Sequence, residues 1–339
     1  MILIDAVYIN SSGGKKILNL FLMQFKYHLS KNYEFLFDDR VDDKILKIVE
    51  GYNINLIKPE EKQRSIFYKK ISKKLTSSIC IANIPPPIKL KSKVFIYFHN
   101  DLFLSPNKGG SLLSVMILSI KKLYIYLKKS ENYFWVVQTE LMKNKLSSKL
   151  LISKKNIHIL PIFEKKTNMY NSKKNKNTFL YVCSKAKHKN LKRLIDAFNI
   201  IQNKHNIDLY LNLTIDDEKY FIEKVFKKNI NPRLKIINNG ILNSTELKSL
   251  YSKSEFLIYP SLIESLGLPL IEAINSDCKV ISADLPYVHE VIIPSLIFNP
   301  YSVISIANSI DNAISNKNLK KSKLVIINKI DKFIDLIST

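Results

Sequence analysis

Short apolar runs rich in branched side chains alternate along the chain with stretches of helical spacing. In the first half the runs fall at Ile2–Ile9, Tyr33–Phe37, Ile79–Asn83, Val94–His99, Phe134–Thr139 and Ile157–Ile162. In the second half they fall at Phe179–Cys183, Leu209–Ile215, Leu234–Ile237, Phe256–Pro260, Lys279–Ala283 and Ser295–Phe298. Most are continuously hydrophobic, which marks strands covered on both faces. Strand–helix alternation along the whole length predicts doubly wound α/β architecture, in which ligands bind beyond the carboxyl ends of the strands. The stretch 164–177, EKKTNMYNSKKNKN, has no apolar period and reads as a linker. It separates a predicted N-terminal domain, 1–163, from a second, 178–318. Apolar residues at Leu324, Ile327, Ile330, Ile334 and Ile337 predict a C-terminal helix within 319–339.

Length agrees with two domains, since 339 residues exceed one ordinary domain. Net charge is +24, and residues 1–165 carry +15 of it. Such a surface attracts nucleic acid, anionic lipid or phosphorylated substrates, or it is a solvated lysine-rich face. No helix-turn-helix, RNP-like or zinc pattern is present, so nucleic acid is not the expected partner. Cys80, Cys183 and Cys278 are far apart, without C-x-x-C or zinc spacing. They read as buried free thiols of a reducing compartment. The opening MILIDAVYI lacks the charged region of a signal peptide, and Lys121 and Lys122 break the longest apolar stretch. A cytoplasmic protein is expected.

Four stretches can carry chemistry. Asn10-Ser-Ser-Gly-Gly-Lys-Lys16 follows the first strand and opens a helix. Its backbone amides suit a phosphate, although a plain strand–helix turn reads the same way. His99 ends a buried strand, where it can meet a sugar hydroxyl or serve structure alone. The loop Ser184–Lys189, carrying Lys185, Lys187 and Lys189, lies between a strand and a helix and suits a diphosphate, or is simply solvated. The stretch YPSLIESLGLPLIEA, Tyr259–Ala273, ends a strand at Glu264, turns at Gly267 and places Glu272 about one turn into a helix begun by Pro269. Two carboxylates flanking a turn can accept hydrogen bonds from two sets of vicinal hydroxyls, with phosphates held between them.

Glu264-Ser-Leu-Gly-Leu-Pro-Leu-Ile-Glu272-Ala resembles the E-S-x-G-L-P-x-x-E-A signature of the retaining glycosyltransferases of family 4. Val280–Glu290 and FLYVCSKAKHKNLKRLIDAF, from Phe179, are similar to that family's neighbouring segments, and YFHNDLFL and WVVQTELMKNKL look like a bacterial surface-polysaccharide subgroup. The resemblance implies the GT-B fold, two Rossmann-like domains facing a central cleft, with the C-terminal helix crossing back to the N-terminal domain. It implies transfer of a sugar from a nucleotide-sugar to a growing surface glycan such as lipopolysaccharide O-antigen or capsule, with no cofactor. By the resemblance Glu264 contacts the donor sugar, Glu272 the ribose, and the Ser265, Leu266 and Gly267 amides lie near sugar and phosphates. Lys189 holds the departing diphosphate, Gly13 and Gly14 line the cleft floor, and His99 sits near the sugar. Many members carry Gly-Arg where this chain has Cys183-Ser184, which leaves Lys185 or Lys187 to substitute for the arginine missing at Ser184; Ser184 and Lys185 are expected among the donor-binding residues.

No Asp-x-Asp occurs, so a metal-independent reaction is expected, with leaving-group charge met by Lys189 and helix amides. Retention implies attack from the face the diphosphate leaves, with a phosphate oxygen taking the acceptor proton. The alternatives are an inverting or epimerising GT-B enzyme and a non-catalytic basic protein that binds nucleic acid or membrane. Lys121, Lys122, Lys128 and Lys129 interleave with apolar residues in a segment that reads either as a helix on anionic lipid carrying the acceptor or as an ordinary half-buried helix.

Overall fold

A computed structural model describes all residues except 11, 27–31, 107–110, 167–172, 205–206, 226, 228–232 and 339. The chain forms two compact units. The first takes its described residues from 1–107, 111–164 and 327–339, the second from 165–326.

The first unit is a parallel sheet of β1 (Ile2–Asp5), β2 (Tyr33–Asp38), β3 (Asn53–Ile57), β4 (Ser77–Cys80), β5 (Lys93–Tyr97), β6 (Tyr133–Val137) and β7 (Ile157–Ile159). The spatial order is β3-β2-β1-β4-β5-β6-β7, so the order reverses beside β1. Crossovers run through α1 (Ser12–Phe25), α2 (Asp43–Ile48), α3 (Glu61–Ile71), α4 (Leu112–Lys128) and α5 (Glu140–Leu150). Inner strands are buried along almost their whole length, as continuous apolar runs require. Sequence pattern missed β3, whose NINLI alternates and lies at the sheet edge with no residue buried. Trp135, Phe98 and Phe103 lie in the apolar cluster beneath the sheet, with Trp135 and Phe103 edge-on to Phe98. The Thr139 hydroxyl accepts from Met142 N and starts α5; Leu151 ends it in the left-handed region.

The second unit is also a parallel sheet, ordered β10-β9-β8-β11-β12-β14. Its chain order is β8 (Asn175–Tyr181), α6 (Leu191–Lys204), β9 (Leu209–Leu213), α7 (Glu218–Lys224), β10 (Leu234–Asn238), α8 (Ser244–Lys253), β11 (Ser254–Tyr259), α9 (Leu268–Asn275) and β12 (Lys279–Ala283). There follow α10 (Pro286–His289), β13 (Ile292–Ile293), β14 (Leu296–Phe298), α11 (Val303–Ser315) and β15 (Lys323–Leu324), which pairs antiparallel with β13. Phe179 stacks on Phe256 across β8 and β11 and meets Phe198 of α6 edge-on. The order reverses beside β8, so the loops after β8 and β11 open at a topological switch point.

Two expected boundaries move. Asn175–Asn177 belong to β8 and are not linker; Glu255 Oε2 accepts from Asn177 N and fixes that register. Residues 167–172 of the expected linker lie outside the described residues. The C-terminal helix begins at Ile330, not near Leu319, and is α12 (Ile330–Ser338). Long-range bonds override the helical spacing upstream: Ser322 Oγ accepts from Val280 N and Ser295 N, and Val325 N and Ile326 N both donate to Val291 O. Asn328 Oδ1 then accepts from Ile330 N to start α12. Phe333 of α12 packs on Phe21 of α1 at 5.5 Å, within the first unit.

Candidate active site

Two strand-end loops of the second unit build the site. After β8 the chain passes through Cys183 and Ser184, makes one 3₁₀ turn over Lys187–Lys189, and reverses at Asn190, whose φ of 58° is left-handed. Asn tolerates that conformation because its short side chain bonds locally. Here Asn190 Nδ2 donates to Pro300 O at 2.7 Å and Pro260 O at 3.3 Å, while its Oδ1 accepts from Arg193. After β11 the chain bends at Leu262, passes Glu264 and turns at Gly267. The loops join where Leu262 N donates to His188 O at 2.8 Å.

This junction brings Lys189 Nζ to 2.5 Å from Glu264 Oε1. Both side chains are only 16% exposed. Ser261 Oγ donates to the same carboxylate oxygen at 2.7 Å. The Lys189 ammonium also lies 5.9 Å from the Tyr259 ring centroid. Tyr181 Oη donates to Lys189 O at 2.6 Å, and Tyr287 Oη to Ser261 O at 2.7 Å, so buried phenols fix both backbones. Burial alone would raise the Glu264 carboxyl. The Lys189 charge and the hydrogen bonds outweigh it and hold the carboxyl below its usual range. Burial lowers His188, as does the neighbouring Lys189 charge.

The turn itself requires glycine. Gly267 has φ of 71°, and a Cβ there would meet Leu270 Cδ1 at 3.1 Å. Pro269 follows inside the first turn of α9, where its missing N–H leaves no bond unmade. Leu270 N closes that turn on Gly267 O. Leu266 and Gly267 are buried and Ser265 half-buried. Glu272, half-buried on α9, lies beside the Tyr251 hydroxyl of α8. Burial, with the Glu272 charge, pushes that phenol well above its usual value. Lys174 Nζ donates to Tyr251 O and Ser276 O, tying together the carboxyl ends of α8 and α9.

The other residues expected at the site divide between the two units. Lys185 points to Asp217, 2.8 Å away at the start of α7, and the contact raises Lys185 above its usual value. Ser184 Oγ accepts from Ala186 N at 3.5 Å. Gly13 and Gly14 belong to the first turn of α1, not to a loop before it; a Cβ at Gly13 would meet nothing within 4 Å. Ser11 of the same motif lies outside the described residues. His99 follows β5, its N–H donating to Asn83 Oδ1 at 2.6 Å. Burial lowers the imidazole to about 4, keeping it neutral.

Sequence reading missed Asn190, Ser261, Tyr181, Tyr259 and Tyr287. Asn190 carried a signal, since Asn before a new helix is a natural left-handed stop. The tyrosines did not, because an aromatic in a strand first suggests core. It also missed the buried cluster of the first unit, where Arg64 meets Asp5 at 2.7 Å and Tyr68 Oη donates to the same carboxylate oxygen.

Two parallel α/β units, each with strand-end loops at its switch point, define the fold of the GT-B class. Residues 162–330 match the family model of glycosyl transferases group 1, so the chain carries a domain of that family. The O-antigen chain mannosyltransferase RfbU of Salmonella typhimurium is 27% identical over 172 residues, covering 50% of this chain and 48% of that one. The capsular polysaccharide biosynthesis glycosyltransferase CapH of Staphylococcus aureus is 27% identical over 180 residues, covering 49% and 50%. The match thus spans about half the length of these curated relatives. In fold, the chain is similar to Anabaena Alr3699/HepE in complex with UDP-glucose, with a TM-score of 0.68 at 12% identity over 99% of this chain and 94% of that one.

Proposed function

We propose that the protein transfers a sugar from a nucleotide-sugar to a growing bacterial surface glycan, with retention at the anomeric carbon and without a metal ion. The observation that carries this reading is the Lys189–Glu264 contact, made where two strand-end loops of a group 1 domain meet. The O-antigen and capsule relatives support the glycan class of acceptor, and the UDP-glucose complex of a protein of like fold supports a nucleotide-sugar donor.

In this reading the ionised Glu264 accepts hydrogen bonds from donor-sugar hydroxyls and Glu272 from the ribose. The Lys189 ammonium is already positioned by Glu264 and Tyr259. It meets the charge that grows on the diphosphate as the glycosidic bond breaks. Such a fixed cation needs no reorganisation during the reaction, and the amides of Ser265, Leu266 and Gly267 add dipoles on the same side. The acceptor hydroxyl attacks from the face the diphosphate leaves, and a phosphate oxygen takes its proton. Neutral His99 suits a hydrogen bond to the sugar better than a charge at it. Gly13 and Gly14 give the acceptor-side unit a helix start without side-chain bulk. Lys185 must leave Asp217 to serve as the second cation, and Ser184 offers a hydroxyl to the diphosphate.

Among the described residues no helix is long and apolar enough to cross a membrane. We place the reaction on the cytoplasmic side, with the chain attached peripherally to the membrane that carries a lipid-linked acceptor.

A thermal-shift panel of nucleotide-sugars should yield a stabilising donor by mass action. With that donor, Glu264→Ala and Lys189→Ala should each abolish turnover while the fold persists, and turnover should survive chelator. Near-normal rates in both variants would overturn the assignment.

A further inference from the structure

The switch point of the first unit lies between β1 and β4, where the sheet order reverses. In an open parallel sheet that crevice is where ligands enter. Beyond β1 the chain makes a tight turn, closed by Ile9 N on Ala6 O. Its third residue is Tyr8, with φ of 79°. Glycine or asparagine is the ordinary occupant of such a position, and a tyrosine there is strained. Neighbours hold the strain in place. Tyr8 N donates to the buried Asp38 carboxylate at 3.2 Å, and the Arg64 guanidinium lies 5.8 Å from the Tyr8 ring centroid.

The turn aims the phenol at a carboxylate. Tyr8 Oη donates to Oε2 of Glu61, the first residue of α3, at 3.4 Å, and Tyr124 Oη of α4 donates to Glu61 Oε1 at 2.5 Å. Glu61 is exposed and both tyrosines are half-buried. Burial pushes the Tyr8 phenol up to about 12 and raises Tyr124 as well, so both keep their protons and act as donors. One contact is short and the other long. Tyr124 therefore fixes the carboxylate, while Oε2 is left open to a further donor. Among the described residues no lysine or arginine pairs with Glu61, in a chain of net charge +24. A purely structural tie needs neither a strained backbone nor a carboxylate left in solvent.

We propose that Tyr8, Glu61 and Tyr124 form the subsite for the terminal sugar of the acceptor, and that this sugar is a neutral pyranose. Its vicinal hydroxyls donate to Glu61, and its C–H face packs on the Tyr8 ring. A carboxylate accepts charge-assisted bonds from adjacent hydroxyls, and an aromatic ring beside it supplies the apolar contact that fixes orientation. The same carboxylate sets specificity by exclusion. A uronic acid or a phosphorylated sugar would bring a second negative charge against Glu61. Arg64 cannot offset that charge, because its donors are committed to Asp5, Ile84 O and Pro85 O. The proposal rests on the preceding reading for the acceptor role of the first unit; sugar binding at the three residues stands without it.

The test is saturation-transfer NMR of the full chain with neutral methyl pyranosides of gluco, galacto, manno, rhamno and N-acetylglucosamino type, and with methyl glucopyranosiduronate. At least one neutral glycoside should receive saturation and the uronate none. Glu61→Gln alters an exposed position; it should weaken the neutral glycoside by about tenfold and admit the uronate. Tyr8→Asn keeps a residue suited to the left-handed turn and removes the ring, so saturation transfer should vanish. Tyr124→Phe releases Glu61 and should weaken binding by about threefold. Donor stabilisation in the thermal-shift assay should be unchanged in all three variants. A donor that stabilises the chain while no neutral glycoside binds would overturn this proposal and leave the enzymatic reading standing. Equal binding of the uronate by the wild type, or undiminished glycoside binding in Glu61→Gln and Tyr8→Asn, would overturn it too.

Discussion

Each unit holds a close acid–base pair at the carboxyl ends of its strands, and the two pairs are built to opposite ends. In the first unit Asp5 and Arg64 are both about 1–2% exposed. Every direction around them is taken: Tyr68 Oη and Val7 N donate to Asp5, and Arg64 donates to Pro85 O and Ile84 O. The guanidinium also lies near the rings of Tyr8 and Tyr68. A planar fork with fixed donors suits a closed network. It ties the loops after β1 and β4 to α3 and leaves nothing for a ligand. In the second unit the cation is a lysine, the pair is partly open, and the ammonium has a ring and one carboxylate around it. A point charge on a flexible stem can share a second anion. Burial and satisfaction, more than the presence of opposite charges, separate a structural pair from one that can do chemistry.

The sharpest break of this comparison is Arg64→Met. It strands the Asp5 carboxylate among apolar groups and should destabilise the chain by about 3–5 kcal/mol in urea unfolding, with little change in donor affinity of the folded fraction. Glu264→Gln keeps the shape of the second pair and removes its charge. We expect kcat to fall by about 10²–10³, with a smaller loss of stability than Arg64→Met causes, because the second pair is less buried. If the two variants exchange phenotypes, the contrast between the pairs is wrong. Gly267→Ala should cost about 1–2 kcal/mol, from left-handed strain and the contact with Leu270, and should weaken donor binding through the displaced loop amides. The smallest effect belongs to Lys15→Ala. Its contact with Asp42 is half-buried on the lysine side and exposed on the carboxylate side, so unfolding should move by no more than about 0.5 kcal/mol.

A pH series sharpens the picture of the first unit. Folding holds His99 neutral down to about 4, whereas the unfolded imidazole takes a proton near 6.5. Between these values the unfolded state binds more protons, so stability falls as pH falls from 6.5 toward 4 and the loss is complete below 4. His158 and His188 are also lowered by burial and share this slope. His99→Gln should therefore flatten the acid limb of the unfolding curve without abolishing it. Glu264 works lower on the scale: its carboxyl is held below 4.5, so its stabilisation is present above that value and disappears as pH drops through the folded one.

Strands β1, β2 and β4–β12 are legible as apolar runs because a strand buried on both faces has little choice of residue. β3 is not, because an edge strand alternates like any exposed segment. Glu264, Gly267 and Glu272 are legible because a turn with φ of 71° before a proline-started helix admits few sequences. The partners that orient Glu264 are not. Ser261 is three residues away, yet its role depends on a loop that Tyr287 and Asn190 hold from distant parts of the chain. The helical period upstream of Ile330 was real in the sequence but yielded to pairing with β13 and to Ser322, as local preference of a fraction of a kcal/mol per residue yields to long-range bonds.

By itself the sequence determined the architecture of two parallel α/β units and the short string holding both carboxylates, because buried strands and left-handed turns restrict residue type locally. Only the tertiary structure decided which lysine of the cationic loop meets Glu264, that Lys185 turns instead to Asp217, and that α4 presents its apolar side to solvent. Those outcomes depend on distances between segments far apart in the chain, and pairwise electrostatics and burial act through such distances and not through order along the backbone.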